Sequence, residues 1–150
     1  MKITIAAVGK LKEDYLKEAS GFLSSNISKH CDFEIIEIPD EKNEENASAA
    51  VMEAVKNKEG AGLLKKIGSS QYVIALAIDG EQLNTEKLKN KIRECKNKGR
   101  DDLVFVIGGS LGLSNEVLKR ADFKLSFSPM TFPHQLMRIM LMEQISLSLK

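Results

Sequence analysis

The sequence predicts an α/β fold: a mostly parallel sheet with helices on both faces. Three observations carry this. Short apolar runs recur along the chain, segments with apolar residues at steps of three and four separate them, and most of the runs stop at glycine, proline or aspartate. At 150 residues the chain is the size of one domain with an ordinary core, and residues 1–150 are read as a single unit without repeats or linkers.

The elements follow in order. Residues 2–8, KITIAAV, read as a buried strand. Tyr15, Leu16, Ala19, Phe22, Leu23 and Ile27 then mark an amphipathic helix, and 32–38 a second strand stopped by Pro39. The acidic run 40–46 reads as a solvated loop leading to a helix start, its carboxylates complementing the helix dipole. Ala47, Ala50, Val51, Ala54 and Val55 continue at helical spacing, with Gly60 and Gly62 weakening that helix before Leu63. A third strand spans 72–78 and ends at Asp79-Gly80. Leu88, Ile92 and Cys95 mark the next helix, 103–107 a fourth strand, Val117, Leu118 and Ala121 a short helix, and 123–126 a fifth strand. The last helix runs from about Pro133 to the end. Its apolar residues, among them Leu136, Met140, Leu141 and Ile145, leave almost no polar face. Such a helix is either buried within its own chain or covered by a second subunit, and the Met-rich surface favours the second.

The net charge of +1 gives no global basic field, which argues against avid, unspecific nucleic-acid binding but leaves room for a local patch. Cys31 and Cys95 have no paired spacing and read as free thiols; no metal site is expected. No run is long enough for a secretory leader or a membrane span, so the cytoplasm is the expected compartment.

In a parallel sheet, ligands bind beyond the carboxyl ends of the strands. Three such ends, at 76–80, 108–112 and 127–132, could converge on one pocket. The run FVIGGSLGLS at 105–114 is neither a Walker A loop nor a dinucleotide fingerprint, but its glycines allow close backbone approach. The stretch FSPMTFPHQLMR at 127–138 is stiffened by Pro129 and Pro133 and offers apolar walls suited to a nucleoside-like ligand. His134 is the candidate proton acceptor, a helix start favouring its neutral form; the plainer reading is that it only braces the loop. Arg138, one turn on, is read as holding a phosphate or a carboxylate, or as pairing with an acid of a partner subunit. Neither residue is assigned a catalytic role.

Taken together, MKITI through VGKLK, IIEIPDEK, FVIGGSLGLS and the SxMTFPHQLMR pattern, in this order, resemble the ribosomal RNA large subunit methyltransferase H family. These are SPOUT-class enzymes acting on N3 of pseudouridine 1915 in 23S rRNA, and the resemblance covers roughly residues 1 to 145. It implies S-adenosyl-L-methionine as cofactor, a C-terminal trefoil knot, a homodimer and 23S rRNA in the ribosome as substrate. It also implies that Leu76, Gly108, Phe127, Ser128, Pro129, Met130, Thr131 and Phe132 bind the cofactor. Two departures stand out. Pro129 replaces the lysine usual in the family, and the chain changes character after Gln144, where the family continues into a basic tail. The alternative expectation is therefore a non-catalytic dimer that binds the cofactor or another nucleoside. A generic nucleotide-phosphate domain is a third reading, against which the missing Walker lysine counts.

Overall fold

The computed structural model describes residues 1–42 and 46–150. The elements are β1 (Lys2–Val8), α1 (Asp14–Ser28), β2 (Asp32–Ile38), α2 (Ala49–Lys65), β3 (Tyr72–Gln82), α3 (Thr85–Asn97), β4 (Asp102–Ile107), α4 (Asn115–Arg120), β5 (Phe123–Ser126) and α5 (His134–Ser148). The five strands form one sheet in the order β2-β1-β4-β3-β5, and every pair is parallel. The expected α/β class is therefore the observed one.

Parallel pairing places every strand's carboxyl end at the same edge and leaves both faces to be covered. Alternation along the strands divides the core in two. Ile3, Ile5, Leu103, Phe105 and Ile107 point to the face covered by α1, α3 and α5, where Leu23, Ile92, Leu141 and Ile145 meet them. Ala6, Val8, Val104 and Val106 point to the opposite face and pack on Leu63 of α2 and Val117 of α4. β4 is the middle strand, and residues 103–107 are all buried, as the unbroken apolar run requires.

Three local readings change. In α2, Gly60 and Gly62 do not weaken the helix; they let it approach its neighbours. A Cβ on Gly60 would lie 2.2 Å from Ser114 Oγ, and one on Gly62 would lie 2.8 Å from Ile38 Cγ2. The apolar residues earlier in the helix contribute less, and Val51 is exposed. In the acidic run, residues 43–45 lie outside the described residues. α2 begins only at Ala49, capped by the Ser48 hydroxyl, with no acid in its first turn. Asp40 and Glu41 therefore lie in the loop that follows β2, away from the first turn of α2. In α1, Leu16, Leu23 and Ile27 are buried, but Tyr15 and Phe22 are 66% and 68% exposed.

The close approach of α2 to α4 gives a direct test. Gly60→Ala should destabilise the fold by about 1–3 kcal/mol, because the new methyl group displaces the buried Ser114 hydroxyl that caps α4. A urea unfolding midpoint equal to that of the unmodified protein would show that the interface has room to spare.

Candidate functional site

The site begins with a break in the sheet. β3 is longer than the apolar run suggests, continuing past Asp79-Gly80 to Gln82. It pairs with β5 in two registers: Leu125 lies opposite both Leu76 and Glu81, so residues 77–80 leave the ladder between them. Gly80 makes this possible, since a Cβ there would lie 2.7 Å from the Lys124 carbonyl oxygen. The extruded segment carries Ala77 and Ile78 over the carboxyl end of the sheet.

The loop after β4 turns back on itself. Gly112 N–H donates to the Gly109 carbonyl at 3.0 Å, and Gly112 has a φ of 86°, in the region that glycine adopts most readily. A Cβ on Gly108 would lie 2.7 Å from the Gly112 carbonyl carbon. The missing side chain at Gly108 thus serves the closure of the loop itself, and a bulky residue there would disturb the fold as well as any ligand. The loop after β5 is braced by its serines. Ser126 Oγ donates to the Ser128 carbonyl at 3.2 Å, and the Met130 N–H donates to Ser128 Oγ at 3.0 Å.

These three segments enclose one cavity of about 520 Å³. Its size is that of a site for a nucleoside-sized ligand. Of the residues singled out in the sequence, Leu76, Gly108, Phe127, Ser128, Met130, Thr131 and Phe132 line it; Pro129 does not. Ser126 and Met137 also line it, although nothing in their spacing marks them. Among the described residues the wall contains no lysine, arginine, aspartate or glutamate, and His134 is its one readily titratable side chain.

His134 opens α5 and is half-buried, with its Nε2 3.6 Å from the position a Cβ on Gly9 would take. Burial pushes its pKa below the ordinary value, with Arg138 and Lys12 acting in the same direction and Asp40 opposing them. The imidazole is therefore neutral near pH 7 and able to accept a proton.

Arg138 is only 2% exposed, and its partners lie in its own chain. It donates to Glu37 Oε2 at 2.7 Å and to the Gly9 carbonyl at 2.9 Å. Of the alternatives for Arg138, the carboxylate is the one observed, and it comes from β2. This pair of a buried guanidinium and an exposed carboxylate, with the Lys12 N–H donating to Gln135 Oε1 at 3.0 Å, fixes the start of α5 against the ends of β1 and β2.

A second hollow, of about 640 Å³, lies between α1, α3 and α5. It is lined by Phe22, Leu83, Ile139 and Met140 and shares only Leu125 and Phe127 with the first. It lacks the glycine loop and the histidine that line the smaller cavity.

An all-parallel sheet, a glycine turn after the middle strand and a proline-containing loop entering the last helix thus frame the cavity, and the comparisons with known proteins give the class. The chain belongs to the SPOUT methyltransferases: the family described as "Predicted SPOUT methyltransferase" matches residues 1–148. Similar proteins include the ribosomal RNA large subunit methyltransferase H of Alkaliphilus oremlandii and that of Clostridioides difficile. Each is 54% identical over 145 residues, covering 97% of this chain and 91% of the relative. Among solved structures, a probable methyltransferase from Bordetella pertussis superposes with a TM-score of 0.58 at 12% identity. That match covers 99% of this chain and 96% of the other, and it supports the fold alone.

The depressed His134 pKa has a measurable sign. The unfolded chain takes up this proton more readily than the fold does, so the contribution is fully present above the unfolded value of ~6.5 and is lost as pH falls from there through the folded value. The His134 resonances should titrate below ~6.5 in NMR. His134→Gln should lose less stability than the unmodified protein between about pH 7 and pH 5. A midpoint at or above the free imidazole value would contradict this electrostatic picture.

Proposed function

We propose that this chain is an S-adenosylmethionine-dependent methyltransferase for N3 of pseudouridine 1915 in 23S rRNA, acting in the cytoplasm as a homodimer of single-domain subunits. The observation that carries the reading is the meeting of the three strand-end loops in one cavity with His134 at its wall. The names of the relatives supply the class of substrate, and the family implies the knotted path.

The cavity suits the proposed donor. Leu76, Ile78, Phe127 and Phe132 give apolar wall for a purine ring, while backbone groups of 108–112 and 127–132 and the Ser126 and Ser128 hydroxyls can read its polar edges. When bound, S-adenosylmethionine supplies a methyl group activated by its sulfonium charge. The protein's share is to hold the target nitrogen in line and to exclude water. The N3 proton of the base must leave, and His134 is the cavity's own acceptor for it. Among the described residues no other charged side chain lines the cavity, and Asp40, Arg138 and Lys12 act on His134 from outside the wall.

The homodimer reading rests on the outer surface of α1 and α5. Tyr15, Phe22 and Leu136 are exposed, and the hollow beside Phe22 and Met140 is largely apolar. A second copy of the chain would cover it.

Three experiments test the proposal. Radiolabelled methyl transfer to ribosomes from cells lacking the modification, followed by nucleoside analysis, should yield 3-methylpseudouridine. Phe132→Ala should weaken donor binding by about 1–2 kcal/mol, roughly tenfold in affinity. Label in another nucleoside, or none despite donor binding, would refute the assigned reaction. Sedimentation should give twice the chain mass, and Met140→Glu should shift it toward monomer; a monomeric unmodified chain at micromolar concentration would refute the dimer.

A further inference from the structure

Glu59 is out of place for a helix glutamate. It is only 5% exposed, and among the described residues it forms no ion pair. A buried carboxylate without a cation is costly, so it needs another role. Two contacts point to one. Glu59 Oε2 accepts the Glu41 N–H at 3.0 Å, from the loop that follows β2. Its two oxygens also lie 3.1 and 3.2 Å from the position a Cβ on Gly109 would take, with Val8 Cγ1 at 3.2 Å on the same point. The next residue, Gly60, packs on Ser114 beyond the far end of the same loop. The pair 59–60 therefore bears on the glycine loop at both ends, from behind the cavity and outside its wall.

We propose that Glu59 is a positioning residue for the donor-binding loop 108–112, which it fastens to the loop after β2. The claim rests on the reading of that loop as part of the methyl-donor site. Gly109 has no side chain, and the Glu59 carboxylate fills the space that one would take, so a shift of α2 is passed to the loop that closes the cavity. Asp40 and Glu41 lie on the same side, and burial with these two acids raises the Glu59 pKa while the Glu41 N–H lowers it. The carboxyl group is therefore biased toward its protonated form, which reduces the cost of keeping it there.

The test separates positioning from packing. Glu59→Leu keeps the volume and removes the polar contact, while Glu59→Gln keeps an oxygen for the Glu41 N–H. In ligand-free protein, Glu59→Leu should speed hydrogen exchange about tenfold in peptides covering 108–113 and 40–42, with the sheet and the other helices unchanged. It should weaken S-adenosylhomocysteine binding in calorimetry by about the same factor, with kcat less affected than KM. Glu59→Gln should restore both to within about threefold of the unmodified protein. Unchanged exchange in Glu59→Leu overturns the proposal. So does faster exchange spread over the whole fold, or a Leu variant that does not fold, since either makes Glu59 a general packing residue. A loop-confined change in exchange, in a protein that binds no S-adenosylhomocysteine even unmodified, would uphold the positioning role and refute the donor reading instead.

Discussion

Because all five strands run the same way, every loop that can bear chemistry leaves the same edge of the sheet. With β4 in the middle, its loop 108–112 lies between the end of β1 on one side and the ends of β3 and β5 on the other. Residues 9–10, 40–41, 76–78, 108–112 and 127–134 are thereby brought together although they are scattered over the chain. The same direction of travel forces helices onto both faces, which is why α2 and α4 sit behind the glycine loop while α5 rises from the front of the cavity.

Given that arrangement, the shape of the site is set by backbone approaching backbone or short side chains. Gly60 admits Ser114, Gly80 admits the Lys124 carbonyl, and Gly108 admits the carbonyl group of Gly112. Each contact holds one wall of the cavity or the support behind it: the docking of α2, the register break of β3, and the closure of the turn after β4. Packing at this density transmits displacement, so residues outside the wall can influence it. The Arg138–Glu37 pair acts comparably on the other side, fixing the first turn of α5 and with it the place of His134.

How much of this was legible in the sequence depended on whether the signal was local. β1, β2, β4 and β5 could be read almost to the residue, because apolar runs bounded by turn residues are local patterns. The three loops were legible for the same reason; the eight cofactor-binding residues came from the family resemblance, and seven of them line the cavity. What could not be read depends on contacts distant in sequence. Gly60 and Gly62 look like helix breakers until the neighbouring Ser114 and Ile38 are known. Asp79-Gly80 reads as a strand end, whereas pairing with β5 resumes beyond it. Pro129 sits in the right loop but outside the wall. Glu59 looks like any solvated helix glutamate, and only the fold buries it against Gly109. Arg138 has its counter-charge 101 residues away, a distance at which spacing carries no information.

The central claim is that the cavity under the glycine loop, rather than the larger apolar hollow between α1, α3 and α5, receives the methyl donor. Amide chemical-shift mapping during an S-adenosylmethionine titration tests it most directly. The account predicts saturable shifts concentrated at 76–78, 108–112 and 127–134, with smaller effects at 40–41 through Glu59. Shifts centred instead on Ala19, Phe22, Leu88 and Met140, with the glycine loop unmoved, would contradict it.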